Sequence, residues 1–360
     1  MAFRPILIMQ AASLEAAKRG LSDLLGTPNN AERTKTHAPA IVWSNRGVPL
    51  SRAGERQLDN PESPLLRLGQ ACGAPAVAQR VRRYGLIMII DTHVHVISDD
   101  QRKYPRRADA QEWVRDTSGE MLIALNREAG VDRTVLVQGY GAYEYNNSYA
   151  ANCARQYPDR FVAVCILDQR RSDAPEQLTY WVRERGVSGL RLLTIVEPEP
   201  LLDDARTFPL WARADSLAIP ICIMTRFHQV ARLPAVLERF PGVRVALDHL
   251  ALPRLSEGPP YDSLQPLFDL VRFPNLYLKF STETLYAASR GRSTPQEFFS
   301  RLIERFGAGR IMWGSNFPAT HDRTFKEQVE LAREDLAFLP QDDQRWLFGG
   351  TALSLWPALR

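Results

Sequence analysis

Eight short apolar runs rich in β-branched residues recur from residue 88 onward. They are MIID at 88–91, TVLVQ at 134–138, FVAVCIL at 161–167, VSGLRLL at 187–193, IPICIMT at 219–225, VRVALDH at 243–249, NLYLKFS at 275–281 and RIMWGSN at 310–316. Runs of this length between polar segments read as buried strands, and most of the gaps carry a helical pattern. The clearest is STPQEFFSRLIERFG, where Thr294 can cap, Pro295 suits the first helical position and Glu297 completes a capping box. Phe298, Phe299, Leu302, Ile303 and Phe306 then line one face, and Gly307 ends it. MLIALNREAG at 121–130 and LPAVLERFPG at 233–242 repeat the scheme, each leading into a strand. Strand and helix alternating eight times predict an α/β fold, a (β/α)8 TIM barrel over residues 88–360, with a doubly wound open sheet as the competitor.

Residues 1–87 have a different character. Stretches such as GTPNNAERTKTHAPA and NRGVPLSRAGERQLDNPESP are dense in Pro, Gly, Asn and Arg and have no sustained period, so this leader is expected to be largely disordered, with a short helix at 11–25. It carries 12 Lys and Arg against 6 Asp and Glu, whereas residues 88–360 carry 33 against 35. The basic balance belongs to the leader, and the body gives no argument for nucleic acid. Met88 stands directly before the first strand and offers an alternative start. No apolar run approaches the roughly 18–20 residues of a membrane span. Cys72, Cys153, Cys165 and Cys222 are scattered, as expected of small buried hydrophobes in a reducing cytoplasm.

Active sites of such barrels lie at the C-terminal ends of the strands. Strand 1 ends in the DTHVH of residues 91–95, and His93 and His95, two apart on a strand, share a face. Strand 4 carries Arg191, two residues after Gly189; strand 6 ends in Asp248 and His249; strand 8 ends in Asn316. Along NLYLKFS the alternation sends Tyr277, Lys279 and Ser281 into the lumen. Counting parity from His249 places Asp248 outside the lumen, in a structural role. Arg191 within an apolar strand needs a partner, either a lumen salt bridge or a substrate carboxylate.

In this order and spacing, IIDTHVH, GLRLL, VALDHLALP, NLYLKFS and IMWGSNFP resemble the amidohydrolase-2 family, on the branch of 2-pyrone-4,6-dicarboxylate lactonase and the sugar-lactone hydrolases. The resemblance covers residues 88–360 and implies a distorted barrel that hydrolyses a small, usually acidic, lactone, ester or amide. It also implies, for metal-dependent members, ligands at the H-x-H pair, at a histidine on strand 5, often at one on strand 6, and at an aspartate after strand 8. Here His93, His95 and His249 are kept, Met224 stands at the strand-5 position, and Asn316 replaces the acid. An amide oxygen binds a cation more weakly than a carboxylate and is no base near neutral pH. His228 could supply the strand-5 ligand only if its loop folds back.

The expected cofactor state is therefore no tightly bound metal, or one weakly held divalent ion such as zinc, at His93 and His95. The resemblance then implies that His93, His95 and His249, with Asn316, form the catalytic group, the histidines polarising the scissile carbonyl. Arg191, Lys279 and Met224 would bind a small acidic substrate. A neutral histidine is the expected proton acceptor, with Glu283 in the loop after strand 7 as an outside candidate. Two other readings are a metal-assisted decarboxylase of a small aromatic or unsaturated acid and a catalytically degenerate binding protein. Oligomeric state stays open, a homo-oligomer included.

Overall fold

The computed structural model describes residues 87–196 and 202–360; the leader up to residue 86, its expected helix and Cys72 lie outside the described residues. Eight parallel strands follow one another in chain order: β1 (Ile90–Val94), β2 (Arg133–Val137), β3 (Phe161–Ile166), β4 (Gly189–Leu193), β5 (Ile221–Met224), β6 (Val245–Leu247), β7 (Leu276–Ser281) and β8 (Ile311–Gly314). The ring is joined between β8 and β1 where Asn316 N donates to His93 O and His95 N donates to Phe317 O, both at 2.8 Å. This is the expected TIM barrel, and the open-sheet alternative is set aside.

The helices that fill the gaps include α1 (Gly119–Ala129), α2 (Ser148–Gln156), α3 (Ala174–Arg183), α4 (Phe208–Ser216), α5 (Leu233–Arg239), α6 (Thr282–Ala288), α7 (Pro295–Phe306), α8 (Phe325–Asp335) and α9 (Thr351–Leu355). At α7 the Thr294 hydroxyl caps Glu297 N as expected, but the Glu297 carboxylate accepts from that hydroxyl at 2.8 Å instead of from the Thr294 amide. The reciprocal capping box occurs at α8, between Thr324 and Glu327.

Strand alternation divides the interior in two. Leu136, Cys165, Leu190, Leu192, Ile221, Ile223, Leu278 and Phe280 point outward into the layer shared with the helices. Val135, Val137, Val162, Val164, Cys222, Ala246 and Met312 point inward and form a separate cluster with Trp356, Leu355 and Leu359. These last residues close the lower end, because a Cβ on Gly189 at the start of β4 would lie 3.3 Å from Trp356 Nε1. What approaches Gly189 is thus the C-terminal plug. Cys153, Cys165 and Cys222 are buried free thiols.

β1 breaks the alternation. Its pairing with β2 runs Asp91↔Thr134 and then Val94↔Leu136, so β1 holds one residue more than its partner over that span. Ile90 faces the apolar lumen, and the extra residue is what also turns His93 inward above it.

Candidate active site

The histidines meet as predicted. The His93 ring lies 5.0 Å from that of His95 and 4.6 Å from that of His249, and all three residues are buried. β8 can come this close to β1 because residue 314 is glycine; a Cβ there would stand 2.7 Å from His93 Cβ and 2.8 Å from His93 N. Below the seam, Asp91 accepts at one oxygen from His93 N and Ser315 N, at 3.0 and 2.9 Å. Burial pushes Asp91 up to about 6.

His249 reaches the lumen by a different route. β6 ends at Leu247, and His249, Leu250, Ala251 and Leu252 all have left-handed backbone, with φ between 52° and 62°. Consecutive non-glycine residues in this region store strain of order 1–2 kcal/mol each. The turn swings His249 over the β6 end, where its Nδ1 meets Ser281 Oγ at 2.8 Å.

This corrects the expectation for Asp248. Ala246 faces the lumen, so Asp248, two residues on, does too. Its carboxylate lies beneath the histidines, with Oδ2 accepting from Arg191 Nε at 2.7 Å and Oδ1 at 2.9 Å from Lys279 Nζ and 3.8 Å from His93 Nδ1. Burial opposes its ionisation, but Lys279 and Arg191 outweigh burial and hold Asp248 down at about 2. Two cations share one carboxylate, so this trio carries one positive charge in excess. Burial first, then Arg191 and Lys279, holds His93 well below the usual imidazole range, and His95 and His249 are lowered to about 4 and about 3, in each case chiefly by burial.

The predicted binding residues separate. Lys279 is fully buried, with Nζ also 3.8 Å from Cys222 Sγ and 5.7 Å from the Trp356 ring centre, which places it under Asp248 and away from the opening. Arg191 is tied at Nε alone; among the described residues its terminal nitrogens have no hydrogen-bond partner. Met224 is half-buried at the end of β5. His228 is exposed on the turn Phe227–Arg232, outside the buried histidine cluster.

His95 has a defined tautomer. Its Nδ1 lies 2.9 Å from Val137 O, an acceptor, so Nδ1 carries the hydrogen and Nε2 of the neutral ring is a bare lone pair. In this state His95 accepts, and cannot donate to a carbonyl as expected from sequence. Among the described residues, His93 has no hydrogen-bond partner at either ring nitrogen.

Asn316, in left-handed backbone that Asn tolerates, joins this rim to a carboxylate. Its Nδ2 donates to Glu283 Oε1 at 2.8 Å, and its other side faces His95, where the amide oxygen would accept only from the protonated ring. Glu283 sits in the first turn of α6, not in a loop, and its Oε1 also accepts from the Thr320 hydroxyl. The sequence reading also missed Trp113, from the long loop after β1, whose ring centre is 5.2 Å from that of His95. Gly141 makes room for it, since a Cβ there would lie 2.7 Å from Trp113 Cζ2.

The donors set limits on a metal. His93, the His95 Nε2 and His249 are the imidazoles at hand and Asn316 offers a neutral amide, against the excess charge of Arg191 and Lys279. Among the described residues, no three His, Cys, Asp or Glu side chains come together in a way that could hold an ion. This falls short of the three good protein ligands of a catalytic zinc site, so no step is assigned to a metal.

The chain is 28% identical over 280 residues to an L-fucono-1,5-lactonase of Burkholderia ambifaria, covering 73% of this chain and 93% of the relative. Its fold matches that of a probable 2-pyrone-4,6-dicarboxylic acid hydrolase of Acinetobacter baumannii with citric acid bound (19% identity, TM-score 0.61, 75% of this chain and 99% of the other). It also matches a zinc-bound amidohydrolase of Burkholderia multivorans (21% identity, TM-score 0.60, 75% and 99%). No helix among the described residues is long and apolar enough to cross a membrane. The Amidohydro_2 family profile, described as amidohydrolase, matches residues 90–358, so the chain belongs to that family and is an enzyme of its hydrolase class.

Proposed function

We propose that this enzyme hydrolyses a small lactone bearing a carboxylate, without a tightly held metal. The observation that carries the reading is Arg191: its Nε is fixed on buried Asp248 while its terminal nitrogens have no partner among the described residues, and the trio it forms with Lys279 and Asp248 holds one positive charge in excess beside the histidines. A guanidinium held in this way is prepared for a planar carboxylate. The name of the fucono-lactonase relative supports the lactone ring as the reacting group.

In this reading the substrate carboxylate docks on Arg191 and the lactone carbonyl enters above His93. His93 and His249 are the neutral N–H donors for the oxygen that becomes negative as water adds, and their depressed pKa values keep each ring single-protonated at neutral pH. Lys279 acts from below by holding Asp248, Met224 contributes apolar wall, and Trp113 covers the mouth over His95.

The test is a pH-stat assay on matched lactones with and without a free carboxylate, L-fucono-1,5-lactone among the latter. Wild type should prefer the carboxylated members. Arg191→Ala should raise their KM about 100-fold, the worth of a lost charge-assisted fork, and leave the neutral ones within about threefold. No lactone turnover by wild type, or equal loss on both classes, would sink the reading.

A further inference from the structure

The family's acid after strand 8 is absent here, which leaves open where the proton of the attacking water goes. We infer that Glu283 has taken over that task, with Asn316 as the neutral bracket that holds its carboxylate at the rim. The inference rests on the lactone reading above.

The geometry is specific. Asn316 Nδ2 and the Thr320 hydroxyl both donate to Glu283 Oε1, while Oε2 is shielded from solvent with no hydrogen-bond partner among the described residues. An orphaned carboxylate oxygen costs stability, which suits a site that has work for it. Asn316 also faces His95, so the carboxylate stands one amide away from the histidine cluster. Had residue 316 been aspartate, two carboxylates would share this spot; an amide fits beside Glu283 where an acid would repel it.

The groups facing Glu283 are Asn316 and Thr320 from the segment after β8, Asp322 beyond them, and Ser281 at the head of its own helix. Burial, with a smaller push from Asp322, raises its pKa; Ser281 and Asn316 pull it down. The result is a better base than an exposed carboxylate.

The step balances without a co-reactant. Water oxygen bonds to the carbonyl carbon as the carbonyl π pair moves onto oxygen, and the water proton passes to Glu283 Oε2. When the adduct collapses, the ring C–O bond breaks and the departing ring oxygen takes that proton. The product is the hydroxy acid, and Glu283 is a carboxylate again.

The probe is whichever panel lactone wild type turns over fastest. Glu283→Gln should lower kcat about 100-fold or more, keep KM within about threefold and abolish the acid limb of the kcat profile. The double variant Glu283→Gln/Asn316→Asp returns a carboxylate to the spot from the other side and should regain at least about tenfold over Glu283→Gln. A single variant that keeps kcat and its acid limb would overturn the inference and put the proton on the His95 Nε2; a double variant no better than the single would overturn it too. If wild type hydrolyses no lactone, the proposed function fails by itself, and thermal denaturation tests separately whether Glu283 is the raised carboxyl that the inference needs. A carboxyl raised by folding costs stability as pH climbs from below the ordinary 4.5 through its folded pKa. The Tm advantage of Glu283→Gln over wild type should therefore grow with pH, and a difference flat in pH would overturn the assignment.

Discussion

The two halves of the barrel lumen are built from the same strands by opposite rules. Below, Val135, Val162, Cys222, Ala246 and Met312 close on Trp356 as a dry plug. Above, Arg191, Lys279, Asp248 and three histidines are packed into a space almost as well shielded from water. The lower half gains from every atom it buries, whereas the upper half pays for desolvated charge and for the left-handed turn at His249–Leu252. Such a cost concentrated at one end of a barrel is what a site built for chemistry imposes, and a barrel needed only for stability would continue the plug upward.

Breaking the upper half should have the largest effect. Asp248→Ala leaves Arg191 and Lys279 buried without their shared anion, and should cost about 3–5 kcal/mol, read as a denaturant midpoint, together with activity. Trp356→Ala opens a cavity in the plug and should cost about 3 kcal/mol, but the fraction still folded should keep its kcat, since the site lies at the other end. If Trp356→Ala abolished kcat in folded protein, the two halves would not be separable as described.

Acid should also act on the upper half first. His95 and His249 are lowered to about 4 and about 3 in the fold, so unfolding takes up protons and stability falls as pH drops from 6.5 through 4. Asp91 works the other way: raised to about 6, its contribution is full below 3.8 and lost as pH rises through 6. With His93 lowered as well, three imidazoles outweigh Asp91 and the raised Glu283, which predicts a net loss of stability on acidification. Midpoints that stay level between pH 7 and pH 4 would contradict the neutral-histidine picture.

The smallest effect tests the strain. Leu252 is exposed with φ 57°, so Leu252→Gly should stabilise by about 0.5–1 kcal/mol by removing a left-handed side chain that packs little. A loss of stability would mean that the turn is not strained there.

The barrel was legible because its signal is periodic: eight apolar runs, each followed by an amphipathic helix, leave few alternatives. The meeting of His93, His95 and His249 was legible from strand ends. Parity misleads at β6, because it treats His249 as an in-strand residue; Asp248 occupies the inward position, and His249 arrives through a left-handed turn that no glycine announces. β1 held the opposite trap, since Ile90 and His93 both face inward only because the strand carries an extra residue. Trp113 stayed hidden because it lies on no strand, and a contact across 18 residues of chain leaves no periodic trace; Glu283 is a candidate proton acceptor from sequence, but its pairing with Asn316 across 33 residues is illegible for the same reason.

The most direct measurement is the hydrolysis rate of the best carboxylated lactone before and after exhaustive dialysis against a chelator, with metal content determined on both samples. The rate should be unchanged at any residual metal level, because the carbonyl is polarised by imidazoles and the substrate is held by Arg191. A rate that collapses on dialysis and returns with one equivalent of zinc would contradict it, and would make His93 and His95 ligands instead.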